Sequence, residues 1–143
     1  MSGIKPESRI MLVDDFELVR FILKGILDSL GYKNSEEAEN GNAAWTKLTQ
    51  AANQKSPYDI VFCDWNMPEL NGIDLLQKIR QDHLLRHTQF VMVTAEAEYG
   101  KIATAYAHQV SDYLVKPFST NGIANFIKVY NARNQSHEYK RFG

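Results

Sequence analysis

The chain contains a single cysteine, and this scarcity limits the chemistry available to it. With only Cys63 present, no disulfide can form within the chain, which fits a reducing compartment. Cys63 lies in an apolar run, where thiols are usually buried and unreactive. We therefore expect a structural thiol rather than a redox or nucleophilic one.

Long hydrophobic runs and an excess of one charge are also lacking. No apolar stretch approaches the roughly 20 residues that a transmembrane helix needs, and residues 1–10 lack the apolar core of a signal peptide. The formal net charge of −1 over 143 residues favours neither nucleic acid nor a membrane surface as partner. We expect a cytoplasmic, single-domain protein that binds neither of them.

What the chain does contain is four short apolar runs, each leading into polar residues suited to handling a phosphoryl group. The runs and the residues that follow them are Ile10–Val13 with Asp14 and Asp15, Ile60–Cys63 with Asp64, Phe90–Val93 with Thr94, and Tyr113–Val115 with Lys116. Apolar runs of about four residues are typical of strands buried on both faces of a parallel sheet. In such sheets the ligand site lies beyond the carboxyl ends of the strands, so these side chains are predicted to converge on one rim.

Helical patterns separate these predicted strands. They run from Leu18 to Leu30, Ala44 to Ala52, Ile73 to Ile79, Ala95 to His108 and Ile123 to Tyr130. Gly31 is predicted to end the first helix, Asn40–Gly41 to form a turn, and Ser119 or Thr120 to cap the last helix. The segment from Asn34 to Glu39 is a polar edge-strand candidate. The order (βα)5 with right-handed crossovers predicts one α/β domain with a doubly wound, five-stranded parallel sheet.

The predicted domain does not use the whole chain. We expect an N-terminal extension over residues 1–8 and the folded domain over residues 9–130. Residues 131–143 are polar and either extend the last helix or fray from it.

The carboxylates suggest a metal-assisted reaction. Asp14, Asp15 and Asp64 would crowd three negative charges together, which is costly unless a cation offsets them. Oxygen-only ligands favour Mg²⁺, beside which an aspartate can act as a nucleophile on phosphorus. Asp64 is the candidate nucleophile because it follows the most apolar strand, although a lone aspartate there could also form an Asx turn or cap a helix. Lys116 and Thr94 would neutralise and hydrogen-bond phosphoryl oxygens.

Five stretches of the sequence resemble the receiver domain of two-component response regulators, in particular the stand-alone chemotaxis regulators. They are Leu12–Phe16, Glu37–Gly41, Asp64–Pro68, Met92–Ala97 and Tyr113–Phe118. The resemblance spans Arg9 to about Tyr130 and implies a flavodoxin-like sheet with strand order 2-1-3-4-5.

The resemblance also implies roles for the acidic residues. Asp64 would be the phosphoacceptor that forms an aspartyl phosphate, Asp15 would bind Mg²⁺ directly and Asp14 would do so largely through water. The main-chain carbonyl of Asn66 would be a further ligand. The side chains of Asn66 and Glu96 would influence the lifetime of the phosphorylated form.

For the remaining positions the resemblance implies a switch. Thr94 and Lys116 would contact the phosphoryl group, with the Lys116–Pro117 peptide bond in the cis form. Sequence alone does not justify that form, since only about one in twenty such bonds is cis. Tyr113 would be the aromatic switch residue that turns inward when Thr94 moves towards the phosphate.

The implied partners are a histidine kinase as phosphodonor and an effector protein that docks around Tyr113 and the last two helices. The protein would be a monomer or a weak dimer and would catalyse only its own phosphorylation and dephosphorylation. Glu98, Tyr99 and Phe126 depart from the basic residues of members that bind the flagellar switch, so the resemblance does not identify the effector.

Three functions are compatible with this sequence. The first is a phosphorylation-dependent switch in signal transduction, and the second is a phosphate shuttle or sink within a phosphorelay. The third, an interaction module that is not phosphorylated, is disfavoured by the complete set of acidic, hydroxyl and lysine residues. A haloacid-dehalogenase-type phosphatase is excluded because it needs a second aspartate where Asn66 stands.

Overall fold

The computed structural model describes the backbone of residues 3–95 and 99–142, and the side chains of residues 3–95 and 100–134. Strands and helices alternate along this part of the chain. The strands are β1 (Ile10–Val13), β2 (Ser35–Ala38), β3 (Ile60–Asp64), β4 (Gln89–Thr94) and β5 (Asp112–Val115). The helices are α1 (Glu17–Ser29), α2 (Gly41–Asn53), α3 (Gly72–Gln81), α4 (Tyr99–Ala107) and α5 (Thr120–Phe142).

All neighbouring strands pair in parallel, in the order β2-β1-β3-β4-β5. The predicted doubly wound α/β fold is therefore confirmed, with β3 at the centre. Every residue of β1 and β3 is buried, as expected for apolar strands covered by helices on both faces. The more polar β2 lies at one edge, where the sequence predicted it.

The core consists of two layers, one on each face of the sheet. Alternate strand residues point to opposite faces: Met11, Val61 and Met92 pack with α2, α3 and the buried Ala105 of α4. Their neighbours along the same strands pack with α1 and α5 instead, and these are Leu12, Phe62 and Val93. The two layers fix the carboxyl ends of β1, β3 and β4 side by side.

Gly31, Ser119 and Asn40 lie at helix ends. Gly31 follows the end of α1 with φ of 95°, a left-handed conformation that glycine adopts readily. Ser119 accepts a hydrogen bond from the backbone N–H of Gly122 and so caps α5. The turn predicted at Asn40–Gly41 is instead the start of α2, because the Asn40 side chain accepts a hydrogen bond from the backbone N–H of Ala43.

Both terminal segments extend the folded unit. Helix α5 continues through residue 142, so the polar tail lengthens this helix up to that residue. At the other end Ile4 is buried, and its backbone N–H and carbonyl bond to the Asn131 side chain on α5. The N-terminal segment is thus joined to the last helix through Ile4, while the domain limits at 9 and 130 stay a prediction.

The sequence predicted a structural thiol at Cys63 and no transmembrane helix. Cys63 is a buried free cysteine, and burial raises the pKa of its thiol well above the ordinary value, which suits a structural role. Within the described part of the chain, no helix combines the length and the apolar character needed to cross a bilayer. The cytoplasmic location stays a prediction.

Candidate functional site

Polar residues from four neighbouring strands meet at the carboxyl edge of the sheet. Asp14 follows β1, Asp64 and Thr94 end β3 and β4, and Lys116 follows β5. The carboxylates of Asp14, Asp15 and Asp64 each place an oxygen within 4.8 Å of the others. The structure therefore brings the predicted acidic residues together.

The Lys116 ammonium lies between two of these carboxylates. Its Nζ donates to Asp14 Oδ2 at 3.0 Å and to Asp64 Oδ1 at 3.3 Å. Lys116 reaches this position from the end of β5, where its backbone N–H bonds to the Thr94 carbonyl at 2.8 Å. The Lys116–Pro117 peptide bond is cis.

Burial differs sharply among the site residues. Asp14, Asp64 and Thr94 are buried, with exposed fractions of 4%, 7% and 4%, whereas Asp15 is exposed. Asn66 is also exposed, in the loop after β3. The site is thus a recess whose floor is formed by strand ends and whose rim carries Asp15 and Asn66.

The charges in this recess are incompletely balanced. Burial and the negative charge of Asp14 raise the pKa of Asp64, although Lys116 opposes them. Burial alone would lower the pKa of Lys116, but its bonds to Asp14 and Asp64 outweigh this and raise the pKa. Lys116 is therefore charged at neutral pH, and one ammonium faces three carboxyl groups.

The donor set fits a hard divalent cation. Three carboxylates on a partly exposed recess supply only oxygen ligands, which Mg²⁺ prefers while it keeps several of its waters. Burial, followed by the negative charge of Asp14, raises the pKa of Asp64, and a bound cation would relieve the repulsion between these carboxylates. Asp14, Asp15 and Asp64 could hold the ion.

Gly72 is a site residue that sequence reasoning missed. It is the first residue of α3, and its backbone N–H donates to the Trp65 carbonyl at 2.9 Å. A Cβ added to Gly72 would lie 2.5 Å from the Asp64 carbonyl oxygen and 2.8 Å from Met92 Sδ. Only glycine allows helix α3 to approach the end of β3 this closely.

The predicted switch residue has an aromatic neighbour that the sequence did not reveal. Tyr113 is half-buried, and its ring meets the edge of the Tyr106 ring at a centroid separation of 6.4 Å and an angle of 89°. Tyr106 Oη donates weakly to Asp112 Oδ1 at 3.4 Å. The spacing of the sequence indicated a helix there but not this contact.

Three of the predicted positions fall wholly or partly outside the part of the chain that the structure describes. Glu96 and Glu98 lie outside the described residues, and so does the side chain of Tyr99. Phe126 is half-buried, stacks on Tyr130 with ring centroids 5.8 Å apart, and lines a cavity between α4 and α5.

An exposed apolar surface beside the recess was not expected. The helical stripe from Leu18 to Leu30 is only partly covered, since Leu23 and Leu27 are the buried residues of α1. The exposed fractions of Leu18 and Phe21 are 67% and 72%. This surface, here called the α1 patch, comprises Phe16, Leu18, Phe21 and Ile22. Leu18 and Ile22 are left exposed because the sheet covers only one side of the helix.

The α1 patch adjoins an apolar groove that leads to the recess. The groove has a volume of about 190 Å³ and is lined by Val19, Ile22, Lys116, Pro117 and Phe118. Since Lys116 also contacts Asp64, the patch and the recess are continuous.

Known proteins share both the sequence and this architecture. The family model of the response regulator receiver domain matches residues 10–128. Chemotaxis protein CheY-3 of Vibrio cholerae is 43% identical over 116 residues, covering 81% of this chain and 85% of the relative. Chemotaxis protein CheY1 of Helicobacter pylori is 37% identical over 121 residues, covering 85% and 94%.

A solved structure also shares this fold. Chemotaxis protein CheY4 of Vibrio cholerae superposes with a TM-score of 0.74 at 27% identity, covering 86% of this chain and 98% of that one. The chain belongs to the response regulator receiver family and is a CheY-like receiver domain.

Proposed function

We propose that this receiver is a phosphorylation switch: Asp64 accepts a phosphoryl group from a histidine kinase, and the phosphorylated form changes its affinity for an effector protein. The observation that supports this best is the position of Lys116. A charged ammonium at 3.3 Å from Asp64 and 3.0 Å from Asp14 can neutralise a phosphoryl group attached to Asp64.

The proposed reaction exchanges one bond to phosphorus for another. A carboxylate oxygen of Asp64 attacks the phosphorus of a phosphohistidine, the P–O bond forms and the P–N bond breaks. The electron pair of the P–N bond goes to the imidazole, which takes up a proton. Lys116 and the Thr94 hydroxyl stabilise charge on the phosphoryl oxygens, because this reaction is catalysed mainly by positioning and electrostatics.

Mg²⁺, when bound, neutralises the carboxylates and the phosphoryl oxygens. We assign its binding to Asp14, Asp15, Asp64 and the main-chain carbonyl of Asn66. The reverse process, attack of water on the aspartyl phosphate, would regenerate Asp64, and the side chains of Asn66 and Glu96 would set its rate. The protein would therefore catalyse only its own phosphorylation and dephosphorylation.

Phosphorylation would act by shifting a conformational equilibrium. A dianion on Asp64 stabilises the conformer in which Thr94 and Lys116 are drawn inward. Moving two states from 1:99 to 99:1 takes about 5.5 kcal/mol of differential interaction, which a few charge-assisted hydrogen bonds can supply. Tyr113 would follow Thr94 inward and leave its edge contact with Tyr106.

We assign the two partners to separate faces. The phosphodonor must bring its histidine to Asp64, and the α1 patch is apolar, exposed and continuous with the recess. The effector would bind where Tyr113 reports the switch, at a cavity of about 340 Å³ between α4 and α5. Tyr106, Val129 and Arg133 help to line that cavity.

The phosphoacceptor can be tested with a small acyl phosphate. Wild-type protein incubated with Mg²⁺ and acetyl phosphate should form an acid-stable, base-labile adduct, detected by intact-mass spectrometry. Asp64→Asn should form none. Asp59→Asn is the matched control, since Asp59 immediately precedes β3 at the opposite end and binds the Arg9 backbone. Equal labelling of wild type and Asp64→Asn would refute the assignment.

The switch is tested by partner binding. The beryllofluoride-treated wild type, a stable mimic of the phosphorylated state, should capture an effector protein that the untreated protein does not. Identical sets of bound proteins with and without beryllofluoride would contradict the switch and favour a phosphate shuttle or sink.

A further inference from the structure

The metal recess depends on a short backbone segment that joins β1 to α1. Asp14 is buried and its carboxylate is fixed at both oxygens: Oδ1 accepts from the Phe16 backbone N–H at 2.9 Å and Oδ2 from Lys116. Asp15 is exposed. The direction of its carboxylate is therefore set by the peptide units on either side of it.

Arg20 on α1 holds one of these peptide units. Its NH1 donates to the Asp14 carbonyl oxygen at 2.6 Å, and this carbonyl belongs to the peptide that links Asp14 to Asp15. The Arg20 backbone N–H also donates to the Phe16 carbonyl at 3.3 Å. The Arg20 side chain therefore binds the peptide immediately before Asp15, and its backbone bond belongs to the first turn of α1.

The Arg20 guanidinium is itself held in place. Its Nε donates to Glu37 Oε1 on β2 at 3.0 Å, and the Arg20 side chain is only 13% exposed. A guanidinium presents its donors in a rigid planar fork, so fixing Nε on one side fixes the direction of NH1 on the other. The Glu37 carboxylate and the Asp14 carbonyl are thereby bridged.

We propose that Arg20 is a positioning residue for the magnesium site: through the Asp14 carbonyl it sets the peptide that directs the Asp15 carboxylate towards Asp14 and Asp64. Arg20 does not touch the ion. This inference rests on the proposed function insofar as the recess binds Mg²⁺, but it requires no phosphoryl transfer.

A second arginine separates positioning from general stability. Arg9 precedes β1 at the far end of the strand and pairs with Glu36 of β2, with its NH2 at 3.4 Å from Glu36 Oε1. Arg9 and Arg20 thus each link the β1 region to β2 with one ion pair. Only Arg20 contacts the segment that carries Asp15.

The test is a calorimetric titration of the full chain with MgCl₂, without a phosphodonor. Arg20→Gln should raise the Mg²⁺ Kd about 10-fold, the lower end of what loss of an outer residue costs a metal site. Arg9→Gln, which removes the same charge and the same kind of link, should bind Mg²⁺ as wild type does. Arg20→Lys keeps the charge without the fork and should recover only part of the loss.

Each outcome has a meaning. Unchanged Mg²⁺ binding in Arg20→Gln, an equal loss in Arg9→Gln, complete rescue by Arg20→Lys, or no Mg²⁺ binding by wild type would overturn the inference. At saturating Mg²⁺ the acetyl phosphate labelling rate of Arg20→Gln should return to near the wild-type value, whereas a merely misfolded variant would not recover. Failure of labelling at Asp64 in wild type would refute the proposed function and leave the titration result standing.

Discussion

At the residue scale, the recess places carboxylates close together, where their negative charges repel one another in the folded protein. Three carboxyl groups lie within 4.8 Å, and the single ammonium of Lys116 is shared between Asp14 and Asp64. Such crowding stores repulsion that folding must overcome. The recess is therefore built for binding rather than for stability.

Because the carboxylates repel one another, we predict that Asp64→Asn stabilises the protein in metal-free buffer. Removing one of the crowded charges should raise the free energy of unfolding at pH 7 by about 1 kcal/mol, the usual scale of a single substitution. Because the folded-state pKa of Asp64 is raised, its ionisation costs stability as the pH rises through that pKa. The difference between variant and wild type should therefore close at low pH, where Asp64 is protonated in both states.

Thermal unfolding in EDTA at several pH values measures this effect. Adding MgCl₂ should raise the melting temperature of wild type more than that of Asp64→Asn, since a ligand that binds only the folded state stabilises it. A variant less stable than wild type in EDTA at pH 7 would contradict the proposed repulsion.

Much of the recess could be predicted because strand ends are visible in a sequence. Asp14, Asp64, Thr94 and Lys116 each follow or end an apolar run, and parallel pairing makes their convergence a consequence of topology. Gly72 and Tyr106 could not be found in this way. Their importance lies in a close approach and a ring contact across the fold, which no local pattern encodes.

At the element scale, helix α3 packs its first turn against the carboxyl end of β3, which carries Asp64. Asn71 and Asp74 form a reciprocal capping box that fixes where the helix begins. Gly72 then lies against the backbone of Asp64 and the side chain of Met92. The position of Asp64 is therefore coupled to the start of α3.

Gly72→Ala is predicted to displace Asp64. The added methyl would overlap a backbone carbonyl that cannot move without shifting β3, so we expect a loss of about 1–3 kcal/mol, as for other overpacked sites. Labelling by acetyl phosphate should also slow. Chemical denaturation and initial labelling rates measure the two effects.

Gly25 provides the control for this experiment. It lies within α1, and nothing comes within 4 Å of a Cβ added there. Gly25→Ala should therefore stabilise the protein by about 0.5–1 kcal/mol through helix propensity, with an unchanged labelling rate. Equal behaviour of the two variants would show that Gly72 has no special contact with the site.

The local sequence located α1 and the segment at Asn40, but it did not determine which residues of α1 are buried or where α2 begins. The periodicity of α1 located the helix correctly, but spacing cannot tell which part of a wide apolar stripe the sheet covers. Leu23 and Leu27 face the sheet, while Leu18 and Ile22 do not. At Asn40 the same residue type serves turns and helix N-caps, so the local sequence left both open.

At the scale of the whole molecule, the recess lies between two surfaces of different character. The α1 patch is apolar and borders Lys116 through a groove. The cavity between α4 and α5 is mixed, because the Asp112–Arg133 ion pair lies beside Tyr113 and Val129. The proposed phosphodonor and effector sites would therefore lie on separate surfaces, with the proposed switch residues Asp64, Thr94 and Tyr113 between them.

This separation predicts that the two surfaces can be disabled independently. Phe21→Ser in the α1 patch, at a side chain 72% exposed, should slow phosphoryl transfer from a phosphorylated histidine kinase about 10-fold or more, in line with a loss of about 1–3 kcal/mol for an apolar anchor. Labelling by acetyl phosphate should be unchanged, because that small donor needs no docking surface. Val129→Ser, on the other surface and 45% exposed, is the matched control and should leave both transfer rates intact while weakening effector capture. If Phe21→Ser slowed both donors equally, its effect would lie in the recess itself, and the α1 patch would not be a docking surface.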